Sequence, residues 1–250
     1  VGGQFSSYNE KKCNNIARLN ADGSIDESFN TADGFNKPVR TISLQRDGKI
    51  IVGGEFTTFD SKQQNHLIRL NSDGSKDESF DLGSSFNDIV YATIIQPDGD
   101  ILAGGKFTNF NGSWQNNIIR LKPDGKLDLL FYTEKGFNDI VYALALQNYG
   151  KVVAGGVFTA FNGSTANRII RLTSEGKADG SFLTGSGFDN MVRAISVDAN
   201  NSIIAGGYFS QYNGKACGYI AKINTKGSLD DNFKSGSGFN GSVQIGRAHV

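Results

Sequence analysis

The sequence predicts an all-β protein that lays down one small four-stranded sheet per repeat, and three observations carry that expectation. A unit of 51 residues recurs from end to end without an insertion. Each unit carries two tight-turn signals between apolar runs. No stretch shows a helical period. Repeats come first because missing one misassigns the whole fold. The pair Gly-Gly followed by one residue and Phe occurs at Gly2-Gly3-Gln4-Phe5, Gly53-Gly54-Glu55-Phe56, Gly104-Gly105-Lys106-Phe107, Gly155-Gly156-Val157-Phe158 and Gly206-Gly207-Tyr208-Phe209. A basic residue with an aliphatic one keeps the same step, at Arg18-Leu19, Arg69-Leu70, Arg120-Leu121, Arg171-Leu172 and Lys222-Ile223. So does one acid, at Asp26, Asp77, Asp128, Asp179 and Asp230. Two Phe ladders complete the frame, Phe29, Phe80, Phe131, Phe182 and Phe233, and Phe35, Phe86, Phe137, Phe188 and Phe239.

The unit that starts at Val39 shows how the elements arise. Val39 to Gln45 is apolar and rich in β-formers, and Asp47-Gly48 turns it into a second strand, Lys49 to Gly54. Asp-Gly between two such runs is a strong hairpin signal. A polar loop, Thr57 to Asn65, leads to a third strand beginning at His66. Asp73-Gly74 then turns into a short fourth segment that ends at Phe80. On the first strand, residues 39, 41 and 43 are small and residues 40, 42 and 44 larger, the pattern of a sheet packed on both faces. Four short strands per unit, stacked face to face, predict the blades of a β-propeller.

The run Leu-Gln-x-Asp-Gly-Lys-Ile-x-Val-Gly-Gly-x-Phe-Thr, read at Leu44 to Thr57, resembles the delta-60 repeat, a bacterial β-propeller family. Ile16 to Phe29 continues the same signature, and the similarity runs to about Val243. The resemblance implies tandem units in large bacterial proteins, often secreted or attached to the cell surface, with no assigned chemistry. Copies four and five drift, with Glu175-Gly176, Lys226-Gly227 and Asn200-Asn201 at the turns. Gly and Asn still supply the positive-φ residue there.

The expected organisation is a single array over residues 1–244, in units 1–51, 52–102, 103–153, 154–204 and 205–244. Five copies suit a five-bladed ring or part of a larger one. Ile245 to Val250 fits no earlier unit well and, back-translated as ATC GGA AGA GCA CAC GTC, reads like a common sequencing adapter. The expectation is therefore that residues 245–250 are not native. Nothing resembles a signal peptide, and the chain begins inside a repeat.

Bulk composition excludes several classes. Lys plus Arg and Asp plus Glu are 25 each, so no basic field recruits nucleic acid. Apolar runs such as Val141 to Leu146 fall far short of the roughly 20 residues that span a bilayer. Cys13 and Cys217 occupy equivalent places in different units, too far apart for a disulfide to be expected.

Function is expected on the rim where the copies differ, because loops on a rigid scaffold carry it. There the start of the first strand bears Arg40, Tyr91, Tyr142 and Arg193, and a loop bears Trp114, the one Trp in the chain. These five residues are the candidate contacts for a glycan or protein ligand, although packing between blades is an equal expectation for the first four and plugging a gap between loops the stronger one for Trp114. The recurring acids belong to the scaffold, since a catalytic residue is needed once and an architectural one in every copy. Asn20 to Asp26 has the oxygen spacing of a crude Ca²⁺ loop, but turn chemistry explains Asp22-Gly23 without metal. Gly-Gly is no phosphate loop, since no Lys-Ser/Thr follows. No cofactor, metal or catalytic residue is expected. The alternative is glycoside cleavage by unique acids drawn from Glu10, Asp33, Asp60, Asp88, Glu134 and Asp139.

Overall fold

A computed structural model describes residues 1–236 and 238–243. The expected non-native tail, residues 245–250, lies outside the described residues. Each complete repeat opens on a six-residue strand, Val39–Leu44, Val90–Ile95, Val141–Leu146 or Val192–Val197. The second strands are Ile50–Gly54, Ile101–Gly105, Val152–Gly156 and Ile203–Gly207. The third are Leu67–Leu70, Ile118–Leu121, Ile169–Leu172 and Ile220–Ile223. In each sheet the second strand lies in the middle. The fourth segment is reduced to a single bridge, such as Leu70 to Lys76 or Leu172 to Ala178.

Both faces of the middle strand are buried, as a sheet packed between neighbours requires. The Gly-Gly pair follows from the same crowding. A Cβ on Gly53 would lie 2.9 Å from Val90 Cγ1 of the next repeat, and one on Gly155 would lie 2.7 Å from Val192 Cγ1. The first glycine therefore lets adjacent sheets approach closely. A Cβ on the second glycine would strike backbone in its own repeat, 2.0 Å from the Ile140 oxygen for Gly156.

Two differences from the sequence reading bear on function. The polar loop contains a two-residue hairpin, Thr58–Phe59 with Lys62–Gln63, repeated in each copy. Its strands are too short and polar to show a period. An Asx side chain aligns it: Asn36 Oδ1 accepts the Thr57 and Thr58 amides, and Asp189 Oδ1 accepts those of Ser210 and Gln211. The hairpin aromatic packs on the second Phe ladder, with Phe35 and Phe59 centroids 4.9 Å apart. His66 does not begin the third strand either; it precedes it at φ 62°, buried, with Nδ1 3.1 Å from the Gly54 oxygen. Burial lowers its pKa.

By contact density the chain forms two compact units, residues 1–115 with 119–128, and residues 116–118 with 129–250. In the first, one core gathers Phe35, Val52, Phe56 and Leu70, and another gathers Phe86, Val90, Phe107 and Phe110. The second is built on Phe188, Val192, Phe209 and Tyr212. Both cysteines are free. Burial, with the nearby Asp189 charge, pushes the Cys217 thiol up to about 11. No helix among the described residues is long and apolar enough to cross a membrane.

Candidate functional site

The recurring charges lock together within the scaffold. Arg18 Nε donates to Asp26, Arg69 to Asp77, Arg120 to Asp128 and Arg171 to Asp179, at 2.7–2.8 Å. The second oxygen of the acid accepts the amide two residues on, that of Ser28, Ser79 or Ser181, and so closes the turn. The guanidinium lies over the first Phe ladder, 4.9 Å from Phe29, 4.4 Å from Phe80 and 4.7 Å from Phe182. Its far end donates to the turn of the next repeat, at the carbonyls of Ser72, Pro123 and Thr225. Burial acts to raise the Asp77 and Asp179 carboxyls, but Lys49 or Lys151, the serine and the arginine outweigh it and hold both well below the usual range. These acids are structural, as the sequence reading expected. Asp22 likewise accepts the Ser24 amide and hydroxyl, which is turn chemistry.

The start of the first strand is built differently. Val39 pairs with Gly54 and Thr41 with Gly53, so Arg40 is the extra residue of a β-bulge. The register shifts likewise at Tyr91, Tyr142 and Arg193. A bulge interrupts the in–out alternation and re-aims one side chain, and bulges concentrate beside functional sites. The carbonyl just before the strand accepts the amide of the residue between Gly-Gly and Phe: Glu55 to Pro38, Lys106 to Ile89, Val157 to Ile140 and Tyr208 to Met191, at 2.9–3.1 Å. That bond sets each bulge residue beside a second variable position, which the sequence reading missed. Its mark was in plain view, since the residue inside Gly-Gly-x-Phe is the one place where that motif changes.

The bulge residues meet different neighbours. Arg40 Nε donates to Glu55 Oε1 at 2.7 Å, and Lys106 Nζ lies 3.1 Å from Asp88 Oδ2. Asp88, Asp139 and Asn190 each accept the amide that follows them. Arg193 has no acid partner among the described residues. Its guanidinium stacks 4.1 Å from the Tyr142 centroid and 6.0 Å from that of Tyr208, and its Nε is buried with no acceptor. Two sequence candidates, Tyr142 and Arg193, are thus in direct contact.

Trp114 stands on the hairpin, paired with Asn109, and is 79% exposed. It plugs no gap between loops; the expectation fails because the hairpin holds itself through Phe110 on Phe86, 4.9 Å apart, and needs no second anchor. The hairpin also leans toward the third-strand turn. Tyr8 and Tyr212 hydroxyls donate to the Gly23 and Gly227 carbonyls, and a cavity of about 280 Å³ runs between Gln63, which is equivalent to Trp114, and Gly74. The rim foreseen as one surface therefore divides between two elements.

Comparison with known proteins agrees with this frame. A family model described as a domain of unknown function (DUF5122) beta-propeller matches residues 1–29, 45–80, 96–131, 147–182 and 199–233. All five matches contain the Arg or Lys ladder and its Asp, whereas Arg40, Tyr91, Tyr142 and Arg193 fall in the intervals between them. No curated protein matches the chain. Among solved structures, the WD40 β-propeller domain of Doa1 superposes with a TM-score of 0.53 at 18% identity, over 79% of this chain and 54% of that one. The chain thus spans about half the length of that domain. A gluconolactonase from Xanthomonas campestris gives 0.49 at 14% identity, over 84% and 65%. PorZ, a surface component of the type-IX secretion system of Porphyromonas gingivalis, gives 0.47 at 13%, over 83% and 30%.

Proposed function

We propose, from the premise that this chain belongs to the DUF5122 β-propeller family, that it is a non-enzymatic repeat module of a larger bacterial secreted or surface protein. Its single array of five units serves as a scaffold that binds a glycan or protein ligand. The delta-60 signature at Leu44 to Thr57 supports the bacterial, surface-attached setting. The contacts are the bulge residues Arg40, Tyr91, Tyr142 and Arg193, with Trp114 on the hairpin as a further contact.

One observation carries the reading. A bulge recurs at the same point of each complete repeat, and its residue is Arg in two copies and Tyr in two. The residues that recur are consumed by one another. Arg and Tyr suit a contact surface, because both bring large area and directional hydrogen bonding. Three of the acids considered for glycoside cleavage are engaged otherwise. Asp33 takes Lys12 and Ser61, which hold its carboxyl below the usual range, and Asp88 and Asp139 cap the start of a strand.

An array of glycans and proteins probed with the full chain tests the reading. Tyr142→Ala and Trp114→Ala should each weaken whatever binds, and binding that survives both at full strength would remove this site from consideration. Measurable turnover of a polysaccharide would favour the glycosidase reading instead.

A further inference from the structure

We infer that the Tyr142–Arg193–Tyr208 cluster binds a carboxylate-bearing sugar, a uronic-acid residue of an acidic polysaccharide. The inference deepens the proposed function and rests on it. Two cations of the first unit, one at the Arg193 slot and one at the Tyr208 slot, each have an acid: Arg40 with Glu55, and Lys106 with Asp88. In the repeat that carries Arg193 both acids are replaced. Tyr208 occupies the place of Glu55, and Asn190 the place of Asp88, with its oxygen taken by the Met191 amide. Arg193 is left stacked 4.1 Å from the Tyr142 centroid, with that of Tyr208 at 6.0 Å and no acid partner among the described residues. Its Nε has essentially no accessible surface, so an acceptor from outside the scaffold is met by the two terminal nitrogens.

The geometry specifies that acceptor. A guanidinium fork takes a carboxylate through two parallel hydrogen bonds, and stacking on Tyr142 fixes the plane of the fork. Tyr208 is 38% exposed beside it, giving an amphipathic ring against which the C–H face of a pyranose can lie. A hexuronate joins both requirements in one ring, a flat apolar face and a carboxylate at its edge. A peptide carboxylate meets the fork but brings no flat apolar face to the ring.

The test is calorimetric titration of the full chain, at low salt, with trigalacturonate, with its methyl ester, and with a short peptide ending in a free carboxylate. Trigalacturonate should bind, and the ester should bind about tenfold more weakly, the loss expected when a charge-assisted bidentate pair is removed. Arg193→Gln should match the ester's loss, and Arg193→Lys should fall between, since it keeps the charge without the fork. An unchanged thermal melt of both variants shows that they fold. Equal binding of acid and ester, an indifferent Arg193→Gln, or binding of the peptide alone overturns the proposal. If trigalacturonate fails while an array ligand still depends on Tyr142, the uronate assignment falls and the general site stands. If trigalacturonate binds but ignores Tyr142→Ala, the surface itself has been misassigned.

Discussion

Two arginines of the second unit, Arg171 and Arg193, both lie against aromatic rings, yet their surroundings differ at every nitrogen. Arg171 sits 4.7 Å from Phe182, and its donors reach Asp179, Ser181 and the Thr225 carbonyl. Arg193 sits 4.1 Å from Tyr142 and donates to nothing among the described residues. The first recurs at the step of the repeat and the second is displayed by a bulge. Stacking on a ring is therefore no guide to role; the fate of the N–H groups separates an arginine that holds the fold from one that makes no side-chain hydrogen bond within it.

Removing Arg171 should break that contrast most visibly. Arg171→Ala leaves the partly exposed Asp179 with only Lys151 for charge, and urea unfolding should show a loss of about 3 kcal/mol. Next comes the device that displays the other arginines. Gly156→Ala forces a Cβ to 2.0 Å from the Ile140 oxygen, at the bulge that presents Tyr142, and should cost about 1–3 kcal/mol by thermal denaturation. A bulge that merely tolerated glycine would show no such loss.

Acid titration sharpens the contrast further. The folded carboxyls of Asp77 and Asp179 lie below their unfolded value, so the stability they add is full above about pH 4 and is lost as pH falls through the folded pKa. Melting temperature should decline below that point in the native chain and decline less in Asp179→Asn. The smallest effect belongs to Arg193. Arg193→Gln should change stability by no more than about 0.5 kcal/mol, because no scaffold bond is lost. A cost near that of Arg171→Ala would place Arg193 among the structural arginines.

Much of the fold was legible because each architectural need is met once per repeat. Gly-Gly, the basic ladder, Asp26 and its equivalents, and the two Phe ladders each answer a crowding or pairing problem that recurs every 51 residues. The bulge was not legible, since small residues at Val39, Thr41 and Ser43 read as unbroken alternation, while the register actually slips at Arg40. The hairpin at Thr58 to Gln63 has two residues per strand, too few to show a period. Arg40 and Arg193 look alike in the sequence. What distinguishes them is the residue 15 positions on, Glu55 in one case and Tyr208 in the other, brought alongside by a single backbone bond.

The reach of Arg18, Arg69 and Arg171 into the following turn has a consequence for how such genes change. The acceptor is a main-chain carbonyl, supplied by Ser72, Pro123 or Thr225. Any residue offers that oxygen, so the joint imposes no identity on the copy that follows. A whole repeat duplicated, deleted or exchanged for a diverged one meets the same handhold at its new boundary. Unequal recombination can then lengthen, shorten or shuffle the gene while the joints persist, leaving the residue at each bulge free to drift toward a new ligand.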